Sequence, residues 1–133
     1  MGAKFDQSIL LLTAAADTTD QTSIEFRRPG GASSLILLFD VTVGSTLLLD
    51  LNPQYYNEGL AAWANVIEDI PGAGGITGVS ENHVVIGLHG PTGDSSLIPS
   101  MNYVFAPLFE RNRIVVDHGN VNAATYTLHA QWR

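Results

Sequence analysis

One stretch, SSLILLFDVTVGSTLLLDLNP at residues 33–53, limits the possible folds of this chain more than any other. It holds two apolar runs, Leu35–Phe39 and Leu47–Leu49, separated by polar residues and a glycine. Neither run approaches the roughly 18 consecutive apolar residues that a membrane-spanning helix needs. A buried membrane hairpin is therefore excluded, and the runs belong either to the core of a β domain or to a face that another protein covers.

The spacing of the two runs predicts a β-hairpin whose three-residue loop is Thr42-Val43-Gly44. In this register Phe39 lies opposite Leu47, and one face of the hairpin is wholly apolar. We expect that face to belong to the core, with Leu35, Leu37, Phe39, Leu47, Leu49 and Leu51. The second face is half apolar, and its patch of Ile36, Leu38 and Leu48 lies under a loop or meets a partner. Alternatively, the two runs cross between two sheets.

Turn residues recur about every ten positions along the rest of the chain, and no long window keeps helical spacing. Only YYNEGLAAW, residues 55–63, suggests a single helical turn. The pattern predicts an all-β fold, an antiparallel β-sandwich or jelly roll of about eight to nine short strands with little helix. The predicted strands are Ser8–Ala14, Ser23–Arg27, Leu35–Val41, Ser45–Leu51, Ala64–Glu68, His83–His89, Tyr103–Leu108, Arg113–His118 and Ala124–Trp132.

Alternation is clearest in two of these segments. In the last one, the residues from Ala124 to Trp132 alternate apolar and polar, which predicts a half-buried strand. In HVVIGLH, Val84, Ile86 and Leu88 are expected to point inward and His83 and His89 outward.

The composition excludes several classes of function but identifies none. The 133 residues predict one domain, 1–133, in which residues 1–20 are a candidate extended arm. A formal net charge of −7 argues against nucleic-acid binding, which needs a basic patch. Charged residues are only 14% of the chain, so either neighbouring subunits cover part of its surface or the domain is simply rich in uncharged polar residues. There is no cysteine, which excludes disulfides and thiolate metal sites.

Patterns that resemble catalytic or binding motifs are each explained better by strands and turns. His83 and His89 would lie about 20 Å apart on one strand, too far to chelate one ion. Asp117 and His118 are adjacent in a strand, so their side chains point to opposite faces and do not form a triad. The glycine-rich PGAGGITG, residues 71–78, lacks the lysine and following helix of a phosphate loop. We therefore predict no catalytic, cofactor-binding or metal-binding residues and a protein that is not an enzyme.

Arginines and aromatic residues are the stronger candidates for contacts with partners. Arginine is a planar donor that suits carboxylates of a neighbouring subunit. Tyr55, Tyr56 and Trp63 share one connection, which suits a sugar platform or a protein-contact loop, unless Trp63 plugs one end of the sandwich. The predicted interface residues are Ile36, Leu38, Leu48, Arg27, Arg28, Tyr55, Tyr56, Arg111 and Arg113.

The order of these features is similar to that of a known group of proteins. An N-terminal apolar strand is followed by GASSLILLFDVT, by STLLLDLNP, by a loop with Tyr and Trp, and by the closing hairpin ERNRIVVDHGNVNAATYTLHAQW. This sequence resembles small structural proteins of tailed bacteriophages that are encoded with capsid genes. It departs from them at LNPQYYNEGLAAW, where a more charged loop rich in Asp or Gly is expected.

The resemblance implies a head decoration, or cement, protein with a β-sandwich fold. Such a protein binds the outside of the capsid, bridges subunits of the major capsid protein and often forms homotrimers. It is made in the host cytoplasm, resides in the virion and needs no cofactor, nucleic acid or membrane. The implied arms are residues 1–20 and the loops 55–62 and 72–82. Two alternatives remain: a tail, neck or fibre-associated module, and a carbohydrate-binding β-sandwich.

Overall fold

The computed structural model describes residues 7–67, 70, 75–87 and 102–133. Within these ranges the fold is all-β and sandwich-like, as the sequence predicts, and contains no helix. The strands are β1 (Ile9–Asp17), β2 (Gln21–Thr22), β3 (Phe26–Arg27), β4 (Ser34–Asn57), β5 (Ala62–Asn65), β6 (Ile76–Gly87), β7 (Asn102–Phe105), β8 (Arg111–His118) and β9 (Ala124–Trp132).

Strand β4 contains both apolar runs in one continuous strand, so the predicted hairpin is wrong. Phe39 does not face Leu47; it pairs with Asn82 of β6 and Leu128 of β9. A straight strand of 24 residues would be about 79 Å long, whereas a compact domain of this length has a radius of gyration of about 14 Å. Strand β4 must therefore bend, and the alternative in which the runs cross between sheets is the one that the structure adopts.

The bend divides the fold into two layers that share β4. In the first layer the order is β1-β9-β4-β6-β7, and β4 takes part through its N-terminal half. In the second layer the C-terminal half of β4 pairs with β8 and β5, and β8 also pairs with β2 and β3. The layers face each other: Leu35 and Pro53, from opposite ends of β4, line one small cavity, and the rings of Phe26 and Trp132 are 5.9 Å apart.

Local backbone geometry and the β8–β9 connection hold the bend in place. Gly44 has a φ of 146°, and a Cβ there would lie 2.6 Å from the Leu47 side chain, so the position requires glycine. Thr46 has a φ of 54°, an unfavourable value for a β-branched residue. The side-chain amides of Asn120 and Asn122 both donate to the Thr46 carbonyl, at 2.9 and 2.7 Å. These two hydrogen bonds stabilise a carbonyl that the bend removes from the regular ladder.

The core lies between the two layers and confirms the predicted inner face. All six residues expected there are at most 3% exposed, although they come from two layers rather than from one hairpin. Strand β9 has the predicted bounds, and its alternate residues from Ala124 to Trp132 are buried. In β6, Val84 and Ile86 are buried as expected, while Leu88 and His89 lie outside the described residues.

The three segments that the resemblance implied as arms contain strands of the fold. Residues 55–63 form no helical turn; they are the β4–β5 hairpin, in which Tyr56 pairs with Trp63. Strand β6 begins at Ile76, so the described part of the predicted 72–82 loop is mostly strand. Strand β1 pairs with β9 along the sheet, so residues 9–17 are not a free arm, while residues 1–6 are outside the described part. Strands β6 and β7 pair in parallel, which departs from a wholly antiparallel sandwich.

Candidate interaction surfaces

The outer face of the second layer carries a cluster of arginine and aromatic side chains. It is formed where β5, the end of β4 and the start of β8 lie side by side. Tyr56 and Trp63 meet edge to face with ring centroids 5.5 Å apart. The Arg111 guanidinium lies 4.0 Å from the Tyr56 ring centroid, and the Arg113 guanidinium lies 4.5 Å from that of Trp63. We call Tyr56, Trp63, Arg111 and Arg113 the arginine–aromatic cluster; these residue types are enriched at the energetic centres of protein interfaces.

Arg111 is the most strongly held member of the cluster. Its Nε and Nη2 donate to Glu25 Oε1 at 2.8 and 2.6 Å, and its Nη1 lies 3.5 Å from Glu58 Oε1. Hydrogen bonding to Glu25, opposed in part by desolvation, raises the pKa of the Arg111 guanidinium above its ordinary value. Arg111 is thus a fixed positive charge with two carboxylates from its own chain.

Arg113 is positioned differently, by neutral groups. Its Nε donates to Gln54 Oε1 at 2.7 Å, and the Gln54 amide donates in turn to Asn65 Oδ1 at 2.8 Å. The guanidinium therefore lies in a fixed orientation against Trp63. Within the described residues, no ion pair joins Arg113 to a carboxylate of its own chain. In the described part of the chain, Arg113 is thus positioned by neutral groups and Arg111 by carboxylates.

The structure separates the two adjacent tyrosines. Tyr55 points away from the cluster and stacks on Phe109, with ring centroids 3.9 Å apart and planes 13° from parallel. The predicted set of Tyr55, Tyr56 and Trp63 therefore does not form one sugar platform. Guanidinium groups already lie against the rings of Tyr56 and Trp63, which leaves less aromatic surface for a sugar. Alternation along a strand is the signal that could have separated the tyrosines.

The other two predicted arginines have local partners. Arg27 pairs in register with Arg111 and lies 3.5 Å from Glu110, and both side chains of that ion pair are exposed. Such a surface pair contributes little to stability. Arg28 donates from Nε to the Ala32 carbonyl at 3.1 Å, which closes the turn between β3 and β4. Arg28 therefore has a structural role in addition to any contact with a partner.

The outer face of the first layer contains Ile36 and Leu38 but not Leu48. Ile36 and Leu38 line a cleft of about 200 Å³ together with His83 and His129. In register, Leu38 lies between these two histidines, one on each neighbouring strand. Leu48 belongs to the second layer, where it is 42% exposed beside Gly119. The predicted patch of three residues is thus divided between opposite faces of the molecule.

Sequence reasoning missed three exposed valines near the bend. Val43 and Val121 are 60% and 81% exposed and line one open cleft beside Thr46. Val79 is 65% exposed and lies in β6 between the residues that pair with Val41 and Ser45. We call Val43, Val79 and Val121 the bend valines. Single valines in turn-rich segments gave no signal, because only the bend brings them to the same end of the molecule.

His118 lies on the inner side of β8, where its Nε2 is 2.8 Å from the Tyr126 hydroxyl. Burial lowers the pKa of His118, and the nearby Asp20, Asp17 and Asp117 oppose this effect. Burial also raises the pKa of the Tyr126 phenol. Asp117 faces outward opposite Asp50, in agreement with the prediction that the Asp117–His118 pair is no triad. The pair of His118 and Tyr126 thus connects β8 to β9 inside the sandwich.

Two further observations concern the described residues only. No group of three or more His, Asp or Glu residues is arranged there to hold a metal ion. No helix in the same ranges is long and apolar enough to cross a membrane.

Comparison with known proteins gives one weak structural similarity. No protein-family model matches the chain, and no curated protein matches it. A solved structure of infectious bursal disease virus, Gx strain, is similar to 94% of this chain with 16% sequence identity and a TM-score of 0.34. This chain spans 32% of that protein's length. A similarity at this TM-score carries no argument about function.

Proposed function

We propose that the protein is a structural component of a virus particle, namely a decoration protein that binds the outside of a tailed-phage head. The observation that carries this proposal is the exposure of the three bend valines near the bend of β4. Exposed apolar patches on small domains commonly mark sites of protein association. The low content of charged residues and the sandwich-like fold are consistent with a domain that is partly covered in its working state.

The proposed mechanism is adhesive rather than catalytic. The bend valines would be buried against major capsid protein subunits, with a contribution of about 25 cal/mol for each Å² of apolar surface removed from water. When one copy contacts two capsid subunits at once, the subunits can separate only if contacts with that copy are also broken. The two-layered core gives a rigid body for this purpose, because both halves of β4 pack into it.

Binding to purified heads tests the proposal. Heads that lack the protein are incubated with it, and the bound copies are counted by quantitative mass spectrometry. The temperature at which the heads rupture is then measured in a temperature ramp, with and without the bound protein. We expect saturable binding in a fixed ratio to capsid subunits and rupture at a higher temperature. The double variant Val43→Asp, Val121→Asp should fold but bind at least tenfold more weakly, because it places charges in a contact that excludes water.

Leu60→Asp is the matched control. Leu60 is 72% exposed in the β4–β5 turn, away from the bend, so this variant should bind as the unmodified protein does. Equal binding by the double valine variant would contradict the role of the bend, and no binding to heads would contradict the decoration role. Binding to purified tails but not to heads would favour the tail-associated alternative. Binding on a glycan array that is lost in Trp63→Ala would favour the carbohydrate-binding alternative.

A further inference from the structure

The β8–β9 connection, residues 119–123, carries the chain from the second layer to the first. Within the described residues, β8 pairs with β2, β3 and β4, and β9 pairs with β1 and β4, so no backbone ladder joins β8 directly to β9. A side-chain hydrogen bond spans the base of the connection instead. His118 is the last residue of β8, and its Nε2 lies 2.8 Å from the hydroxyl of Tyr126 in β9. This hydrogen bond therefore holds the two ends of the connection together.

The connection in turn holds the bend of β4. Its Gly119 amide donates to a carbonyl of β4 at 2.7 Å, and the side chains of Asn120 and Asn122 donate to the Thr46 carbonyl. None of residues 119–123 is buried, so these polar contacts, rather than apolar burial, attach the connection to the bend. Segments with few buried apolar contacts open locally at a low cost in free energy. The connection is thus a segment that can open while the two layers stay folded.

The surroundings of the His118 ring suit the neutral imidazole and not the imidazolium. Its Nδ1 is buried and has no hydrogen-bond partner in the described part of the chain, where the Tyr126 hydroxyl has no partner other than His118. When Nε2 accepts from the hydroxyl, only the N–H at Nδ1 lacks an acceptor. A second proton on the ring turns Nε2 into a donor, so the hydroxyl proton loses its acceptor too, and a charge is placed in a partly buried position. Uptake of a proton therefore weakens the closed arrangement.

The charged groups around the His118 ring are all acidic. Burial lowers the pKa of His118, and three carboxylates oppose this effect by favouring the charged ring, namely those of Asp20, Asp17 and Asp117. The residue opposite His118 on β4 is the buried Leu49, and β9 presents the tyrosine hydroxyl, so neither strand adds a charge. Asp20 already accepts from the backbone amide of His118 at 2.7 Å. Carboxylates are therefore at hand for an imidazolium that leaves the tyrosine.

We propose that the hydrogen bond between His118 and Tyr126 is an acid-sensitive latch on the bend of β4. When the ring takes up a proton from solvent, it leaves the tyrosine for the neighbouring carboxylates, and the β8–β9 connection separates from the bend. The Thr46 carbonyl then exchanges the two asparagine amides for water. Because Val121 lies in this connection, the latch also determines where one of the bend valines is held. The latch itself does not depend on the proposed virion role.

The direction of the effect follows from proton linkage. The open state leaves the His118 ring in water, where its pKa is close to the ordinary histidine value of about 6.5. Burial lowers the pKa of the ring in the closed state, so the open state binds the proton more readily. Opening therefore becomes more frequent as the pH falls below about 6.5, and above that pH it no longer depends on the proton. The latch is closed at neutral pH and released in mild acid.

Amide hydrogen exchange of the purified full chain tests the latch. Exchange is followed by NMR at about pH 7.5 and 5.5, and each rate is divided by that of an unstructured peptide at the same pH, which gives a protection factor. The protection of the Gly119 amide should fall about threefold or more at the lower pH, because its opening is linked to the proton on His118. Low concentrations of urea should leave the Gly119 rate unchanged, since local opening exposes little surface, while they accelerate exchange in residues 35–41.

Three variants connect the effect to the latch. His118→Gln removes the titrating ring, so the protection of Gly119 should no longer depend on pH. His129→Gln is the matched control, a partly buried histidine on the outer face of the first layer, and should keep the full change. Tyr126→Phe removes the hydroxyl and should lower the protection of Gly119 already at neutral pH, with an unchanged circular dichroism spectrum. The proposal is overturned if Gly119 is equally protected at both pH values in the unmodified protein, or if His118→Gln responds to acid as that protein does. It is also overturned if urea accelerates exchange at Gly119 as it does in residues 35–41, because the opening would then be global.

Discussion

The two halves of β4 have the same buried inner face but different neighbours. Residues 34–41 are paired with β6, and residues 35–41 with β9 on the other side, in both cases without interruption. Residues 49–55 are paired with β8 on one side. On the other side their partners within the described residues are discontinuous: the end of β5, the Val66 amide, one bridge to Ile70 and one pair with Ile76. The comparison shows that the alternation of apolar and polar residues specifies which face of β4 is buried. Whether the edges of β4 are fully hydrogen-bonded depends instead on which other segments of the chain pair with it.

The largest expected effect is a loss of stability in core variants, which tests whether the two halves of β4 share one core. Leu37 and Leu51 come from different halves of β4, and both are 0% exposed. Leu37→Ala and Leu51→Ala should each lower the free energy of unfolding by about 2–5 kcal/mol, because each leaves a cavity in the same core. Urea denaturation followed by tryptophan fluorescence measures this. Leu38→Ala, on the outer face, is the control and should cost less than about 1 kcal/mol. If Leu51→Ala cost as little as the control, the two layers would not share one core.

The next effect concerns the bend that joins the halves. The double variant Asn120→Ala, Asn122→Ala removes both side-chain donors to the Thr46 carbonyl and should lower the free energy of unfolding by about 2 kcal/mol. Asn102→Ala, on the exposed side of β7, should change it by less than about 0.5 kcal/mol. Thermal unfolding monitored by circular dichroism measures both. Equal transition temperatures for the two variants would mean that the β8–β9 connection does not stabilise the bend.

Hydrogen exchange compares the two ladders directly. The amides of residues 35–41 should exchange at least tenfold more slowly than those of residues 54–57 that donate to β5. The reason is that β5 has only four residues and can separate locally without disruption of the first layer. Amide exchange followed by NMR measures the rates residue by residue. Equal protection of the two segments would show that the domain opens only as a whole.

The smallest effect is a pH dependence from His118, whose counterpart in the first layer is the partly exposed His83. Burial lowers the pKa of His118 in the folded state, so the unfolded chain binds this proton more readily. The resulting stability is present above the ordinary histidine pKa of about 6.5 and is lost as the pH falls below it. Urea midpoints at pH 7.5 and 5.5 should therefore differ more in the unmodified protein than in His118→Gln. His83→Gln is the control and should keep the full difference.

The strand faces could be predicted from the sequence, while the strand partners could not. Strand β9 was predicted with its observed bounds because Ala124 to Trp132 alternates without interruption. The hairpin at Thr42–Gly44 was predicted wrongly, because the same three residues suit a tight loop and a bulged bend equally well. The choice depends on Asn120 and Asn122, nearly 80 residues away, whose amides hold the bend.

The same distinction applies to the candidate surfaces: the sequence indicates residue types, and the structure decides which of them lie together. The arginines and aromatics were recognised by residue type, but only the structure separates Tyr55 from Tyr56 and brings Arg113 to Trp63. The bend valines gave no sequence signal, because their proximity is a consequence of the fold.

The sequence by itself determined an all-β fold, its inner face and its shortage of charge, since alternation and composition are properties of neighbouring residues. The tertiary structure alone decided that β4 bends instead of turning back, that Leu48 lies on the opposite face from Ile36 and Leu38, and that Asp50 and Asp117 share a ladder with Arg113. The physical reason is that a strand needs hydrogen-bond partners from elsewhere in the chain. Those partners are chosen by competition among all segments, which no single stretch records.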